Sequence, residues 1–183
     1  MLAFLARLLG LEAKIPFEEQ EGVWAYLAKE WRLAALQDLE AERYNNAATK
    51  YGGAIIPGSA GLAELLSAGG RLSQAADELV QRHSELQPVP DEAGSVYFAW
   101  EVVYRSYQEW ASAVAVTLEG YEAGTMPNTM RVQQLFGQME RARKKAEQEE
   151  GKLLRRLSLS AEDVRRRLKE AQDAAKAEDW QPS

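Results

Sequence analysis

Along most of this chain, apolar residues recur every three or four positions, the spacing that lines up one face of an α-helix. Over residues 17–51 a stripe runs through Trp24, Leu27, Trp31, Ala34 and Ala35, and Leu36, Leu39, Tyr44, Ala47 and Tyr51 carry it onward. Glu18, Glu19 and Glu21 open this segment, where carboxylates meet the positive end of the helix macrodipole, and Gly52-Gly53 closes it. Residues 52–61 read as a loop, with Ser59 as the N-cap of a second helical region. That region is expected to break at Gly69-Gly70. Beyond the break it carries Leu72, Ala75, Ala76, Leu79 and Val80 on one face and ends near Leu86, ahead of Pro88 and Pro90.

The widest stripe lies in residues 91–123. Tyr97, Trp100, Tyr104, Tyr107, Ala111, Val114, Leu118 and Tyr121 succeed one another at steps of three or four, broadened by Val96, Val103 and Trp110. A face that wide belongs to a helix packed in the middle of a bundle, so this segment is expected to be the most buried. Asp91 or Ser95 is the expected cap, and Gly124 with Pro127 ends the helix. Residues 128–157 have a narrower seam of Val132, Leu135, Phe136, Met139, Ala142, Ala146, Leu153 and Leu157, set among Glu, Arg and Lys. Ser160 with Asp163 approximates a capping box for a last helix, whose end is expected to fray. At the other terminus Leu2, Leu5, Leu9 and Phe4, Leu8, Leu11 mark a short apolar helix, cut off by Pro16.

No stretch alternates at period two long enough for a strand; Ala54-Ile55-Ile56 is the best and spans three residues. The expected fold is therefore all-α, an up-and-down four-helix bundle with short accessory helices at both termini. Its parts are an apolar N-terminal arm (1–15), the bundle core (16–157), and a charged C-terminal helix and tail (158–183).

Composition narrows the chemistry. The 183 residues include five Trp and seven Tyr, enough aromatic area for a real core, and no cysteine. Disulfides, thiolate nucleophiles and Cys-ligated metals are thereby excluded. The net charge of −6 is uneven: residues 1–130 carry −9 and residues 131–183 carry +3. No run approaches the roughly 20 apolar residues of a membrane span. The N-terminus lacks a basic leader region and Arg7 interrupts its apolar run, so the expected location is cytoplasmic.

Candidate chemistry is sparse. Di-metal carboxylate bundles need Glu-x-x-His on two helices, but the lone histidine, His83, has Val80 three residues before it. His83 reads as a surface or helix-end residue. The loop from Gly53 to Ala60 has glycines spaced as in a phosphate loop, yet lacks the lysine after Gly58. Basic clusters in 141–167 are interleaved with Glu140, Glu147, Glu149, Glu150, Glu162 and Asp163, which argues for a solvated helix face over a nucleic-acid site. No catalytic residue, metal ligand or cofactor site is expected, and the chain reads as a non-enzyme.

Two features carry the functional expectations. The apolar arm (Leu2, Phe4, Leu5, Leu8, Leu9, Leu11) must be buried somewhere: on its own bundle, in a groove on another subunit or, the weakest option with only Arg7 and Lys14 basic, on a membrane. It points to an interaction or structural protein, a homo-oligomer included. The aromatic set Trp24, Trp31, Tyr97, Trp100, Tyr104, Tyr107 and Trp110 points to a pocket for a small apolar or aromatic ligand, or else to solid core. Nucleic-acid binding through 141–167 is the weakest reading.

Overall fold

The first long stripe forms α1, Phe17–Tyr51. Pro16 precedes it, Glu18 and Glu19 sit in its first turn, and no proline interrupts it. Along the chain come next α2 (Ala60–Ser84), α3 (Gly94–Glu122), α4 (Thr129–Arg156) and α5 (Ala161–Ala177). The computed structural model describes residues 14–52, 55–157, 160–178 and 180–182, and among these there is no strand. The arm residues Leu2, Phe4, Leu5, Leu8, Leu9 and Leu11 lie outside the described residues.

The caps expected at Ser59 and Ser160 are present, and Asn128 supplies a third. The Ser59 hydroxyl accepts from Leu62 N–H at 3.2 Å, and the Asn128 side chain accepts from Arg131 N–H at 3.1 Å. Ser160 accepts from Asp163 N–H and donates its own hydrogen to the Asp163 carboxylate. Each relieves a backbone donor that the first helical turn leaves unpaired. The start of α3 differs from expectation. Neither Asp91 nor Ser95 caps it; a short 3-10 turn, Asp91–Ala93, leads straight into Gly94.

The four long helices run up, down, up and down. Antiparallel neighbours are fixed by contacts whose residue numbers fall on one helix as they rise on the other. Glu40 meets Arg71 and Glu30 meets His83 between α1 and α2; Asp77 meets Gln108 between α2 and α3; Trp110 meets Phe136 and Trp100 meets Glu150 between α3 and α4. The backbone of α4 packs on α3 and reaches α1 through long side chains, with Arg143 forking onto both oxygens of Asp38. The core draws on α1 (Val23, Leu27, Leu36), α2 (Leu62, Leu65, Leu79) and α3 (Val96, Val103, Ala111), all essentially buried.

Two expectations need correction. Helix α2 does not break at Gly69-Gly70. Gly69 is instead a point of close approach. A Cβ there would stand 2.9 Å from Leu118 Cδ1 and 3.8 Å from the Ala115 Cα, so glycine lets α3 lie close against α2. The fraying expected toward the C-terminus is not seen in the described residues up to 182 either. Helix α5 runs parallel to α1, with Arg167 over the Trp24 ring at one end and Glu178 paired to Arg32 at the other. Trp180 then buries its ring to 5 % exposure, donating from Nε1 to Glu78 at 2.8 Å under the Arg82 guanidinium. By covering α1, α5 makes that helix at least as central as α3, which the sequence marked as the most buried.

Candidate functional site

The middle of the bundle holds a polar group where apolar packing would be cheapest. Glu30 of α1 is fully buried, at 0 % exposure. Its two carboxyl oxygens divide their partners: Oε1 accepts from the Tyr104 hydroxyl and Oε2 from the Tyr26 hydroxyl, both at 2.8 Å. His83 of α2, exposed by only 1 %, places Nδ1 3.2 Å from the same Oε2. Its ring is stacked on Tyr97 at 4.4 Å, though neither nitrogen closes a hydrogen bond of good geometry. Burial first, and then Glu30, hold the Tyr104 and Tyr26 hydroxyls well above the usual phenol range, so both act as donors.

A second carboxyl lies nearby on α4. Glu150 accepts from the Trp100 indole at 3.4 Å. The Trp31 indole N–H lies toward the same group without closing a bond of ordinary geometry. Burial pushes Glu150 above the usual carboxyl range; the two indoles oppose that, and the charge of Glu30 adds to it. Among the described residues, no set of three His, Asp or Glu is placed to hold a metal ion. Side chains of α1, α2 and α3 meet on Glu30, so a slide along a helix axis would part this buried carboxyl from its donors.

His83 is therefore a core residue, not the surface or helix-end residue that its place in the sequence suggested. It sits in the last turn of α2, but on its buried side. The pattern contained the signal, since Leu72, Ala76 and Leu79 lead to position 83 at steps of four, three and four, and Ala75 is buried on that same face. Glu30 carried a similar signal, lying inside the Leu27–Trp31 stripe and four residues after Tyr26.

One cavity adjoins this centre and another lies away from it. The larger, about 430 Å³, lies at the far end of the bundle between α1, α3 and α4. Its walls are mainly apolar, including Tyr44, Ile55, Val114, Leu118, Tyr121 and Val132. The Tyr121 hydroxyl donates to Ile55 O at 2.9 Å, and Gly58 N–H donates to the Glu122 carboxylate at 3.0 Å, so the loop after α1 is tied to the end of α3. Gly124, with φ of +81°, then turns the chain toward α4. Beside its lining residues in the chain, large apolar side chains face solvent: Met126 (next to Pro127) is 91 % exposed, and Met130 (next to Thr129), Ile56 (next to Ile55) and Phe136 (one turn on from Val132) are exposed as well.

The smaller cavity, about 270 Å³, opens between α2 and α3 and is more polar. Asp77, Gln81, His83, Tyr97, Glu101 and Arg105 help to line it.

The predicted aromatic set is divided by this arrangement. Tyr97 and Tyr104 border the smaller cavity, whereas Trp24, Trp31, Trp100, Tyr107 and Trp110 line neither. These five are buried and pack on aromatic neighbours, with Trp24–Trp31 centroids 6.1 Å apart and Tyr107–Trp110 5.7 Å apart. In the basic region, Arg143, Lys152 and Arg166 each pair with an acidic neighbour, and Arg167 lies over Trp24. No helix among the described residues is long and apolar enough to cross a membrane. No family model, curated protein or solved structure matches the chain.

Proposed function

We propose that this protein is a non-enzymatic helical-bundle interaction protein that acts in the cytoplasm and holds an apolar segment of a partner in the groove between α1, α3 and α4. The observation that carries this reading is the groove itself, an apolar concavity of about 430 Å³ whose lining residues Ile55, Pro127 and Thr129 have exposed Ile56, Met126 and Met130 beside them in the chain. Apolar side chains clustered around a concavity are what a helix-in-groove contact uses, and methionine adapts its shape to different occupants.

The test is site-specific photo-crosslinking in the native host. A benzophenone side chain at position 130 is expected to give discrete adducts that vanish when Gln133→Trp fills the groove. The same probe at exposed position 109 should give none. Equal adducts at 130 and 109, or adducts at 130 indifferent to Gln133→Trp, would overturn the reading.

A second reading, a small ligand, is favoured by the cleft between α2 and α3, where Tyr97 and Tyr104 flank His83. Quenching or enhancement of tryptophan fluorescence across a panel of small aromatic compounds tests it, with Tyr97→Ala as the control expected to abolish the response.

A further inference from the structure

We infer that the occupant of the groove is the apolar segment 1–13 of a second copy of this chain, exchanged reciprocally in a two-fold dimer. This rests on the proposed docking function and names its partner. The first argument is chemical. Leu2, Leu5 and Leu9, with Phe4, Leu8 and Leu11, give the i, i+3, i+4, i+7 anchors of a helix that lies in an apolar groove. The cleft between α2 and α3 does not suit them, because Asp77, Gln81, Glu101 and Arg105 line it.

The second argument is reach. Ile15 N–H donates to Arg156 O at 3.1 Å and Lys14 Nζ to Arg155 O at 2.9 Å, so the base of the segment is pinned where α4 ends. Tyr44, at the near edge of the groove, lies about 40 Å further along α1 at the usual helical rise of ~1.5 Å per residue. Thirteen helical residues span only about 20 Å, so the segment in helical form falls short of the groove on its own chain. Two bundles laid side by side in opposite directions bring the base of each segment beside the other's groove. Both exchanges are then satisfied at once, and the assembly closes at two copies.

The experiment uses the full chain. Light scattering after size exclusion is expected to give twice the 20.4 kDa chain mass. Leu5→Asp with Leu8→Asp should halve that mass, and so should Gln133→Trp, with far-UV circular dichroism unchanged. Because the chain has no cysteine, single cysteines report contacts cleanly. A copy carrying Leu5→Cys and a differently tagged copy carrying Gln133→Cys should form a disulfide on oxidation, and Glu109→Cys should not. A single-chain mass for the native protein, a dimer that survives Leu5→Asp with Leu8→Asp, or equal cross-linking to position 109 would overturn the exchange. If the native protein is a single chain while the probe at 130 still traps a different protein, the docking function stands and only the exchange falls.

Discussion

Replacing Tyr104 by Phe tests the polar centre of the bundle most directly. The substitution removes one hydroxyl and leaves the ring in place. Glu30 Oε1 accepts from that hydroxyl at 2.8 Å, and Glu30 is fully buried. Loss of the donor therefore leaves an unpaired buried acceptor, which costs about 2–3 kcal/mol. Tyr26→Phe supplies the comparison. It removes the donor to Oε2, but His83 Nδ1 stands 3.2 Å from that oxygen and can turn toward it. Its cost should be smaller, about 1–1.5 kcal/mol. Urea unfolding followed by tryptophan fluorescence reads both, with an unchanged m-value confirming a change in stability alone. A Tyr104→Phe cost below that of Tyr26→Phe, or below about 0.5 kcal/mol, would refute the idea that Glu30 depends on Tyr104 for its pairing.

Glu150→Gln should raise thermal stability at neutral pH. Burial raises the Glu150 pKa above its ordinary 4.5, so its charging opposes folding as pH rises through that range. The melting curves of variant and wild type should converge below about pH 4, where the carboxyl is protonated in both states; a gap that widens in acid would contradict this. Trp180→Ala should cost about 3 kcal/mol, because a buried ring and its bond to Glu78 are lost together, and calorimetry measures it. Gly70→Ala, which meets nothing within 4 Å, should stabilise α2 by up to ~1 kcal/mol, whereas Gly69→Leu should destabilise by about 1–3 kcal/mol through the clash with Leu118. Equal effects at 69 and 70 in chemical denaturation would remove the close-approach argument.

The period of the apolar residues alone determined the helices. Trp24 to Tyr51 and Tyr97 to Tyr121 keep a stripe of the 3.6-residue period, and Ser59, Asn128 and Ser160 stand where helix starts need side-chain acceptors. These are local effects, set by neighbours in the chain. The same logic misread Gly69-Gly70 as a break, because helix propensity does not see the neighbouring helix that needs the missing Cβ.

Only tertiary structure decided the sites. The pairing of Glu30 with Tyr104 joins residues 74 apart, and no local pattern links them. Whether an aromatic residue is core or cavity wall likewise depends on where two other helices stand. The groove arises because α4 packs closely on α3 but reaches α1 through side chains, leaving room between Tyr44 and Val132. The exposed apolar residues beside it come from the loop after α1, the turn 123–128 and the first turns of α4, which the sequence marked only as helix ends and starts. The stripes of α1 and α2 carried the burial of Glu30 and His83, but which residues meet there and where the groove opens depend on how the helices assemble, and no local pattern states that.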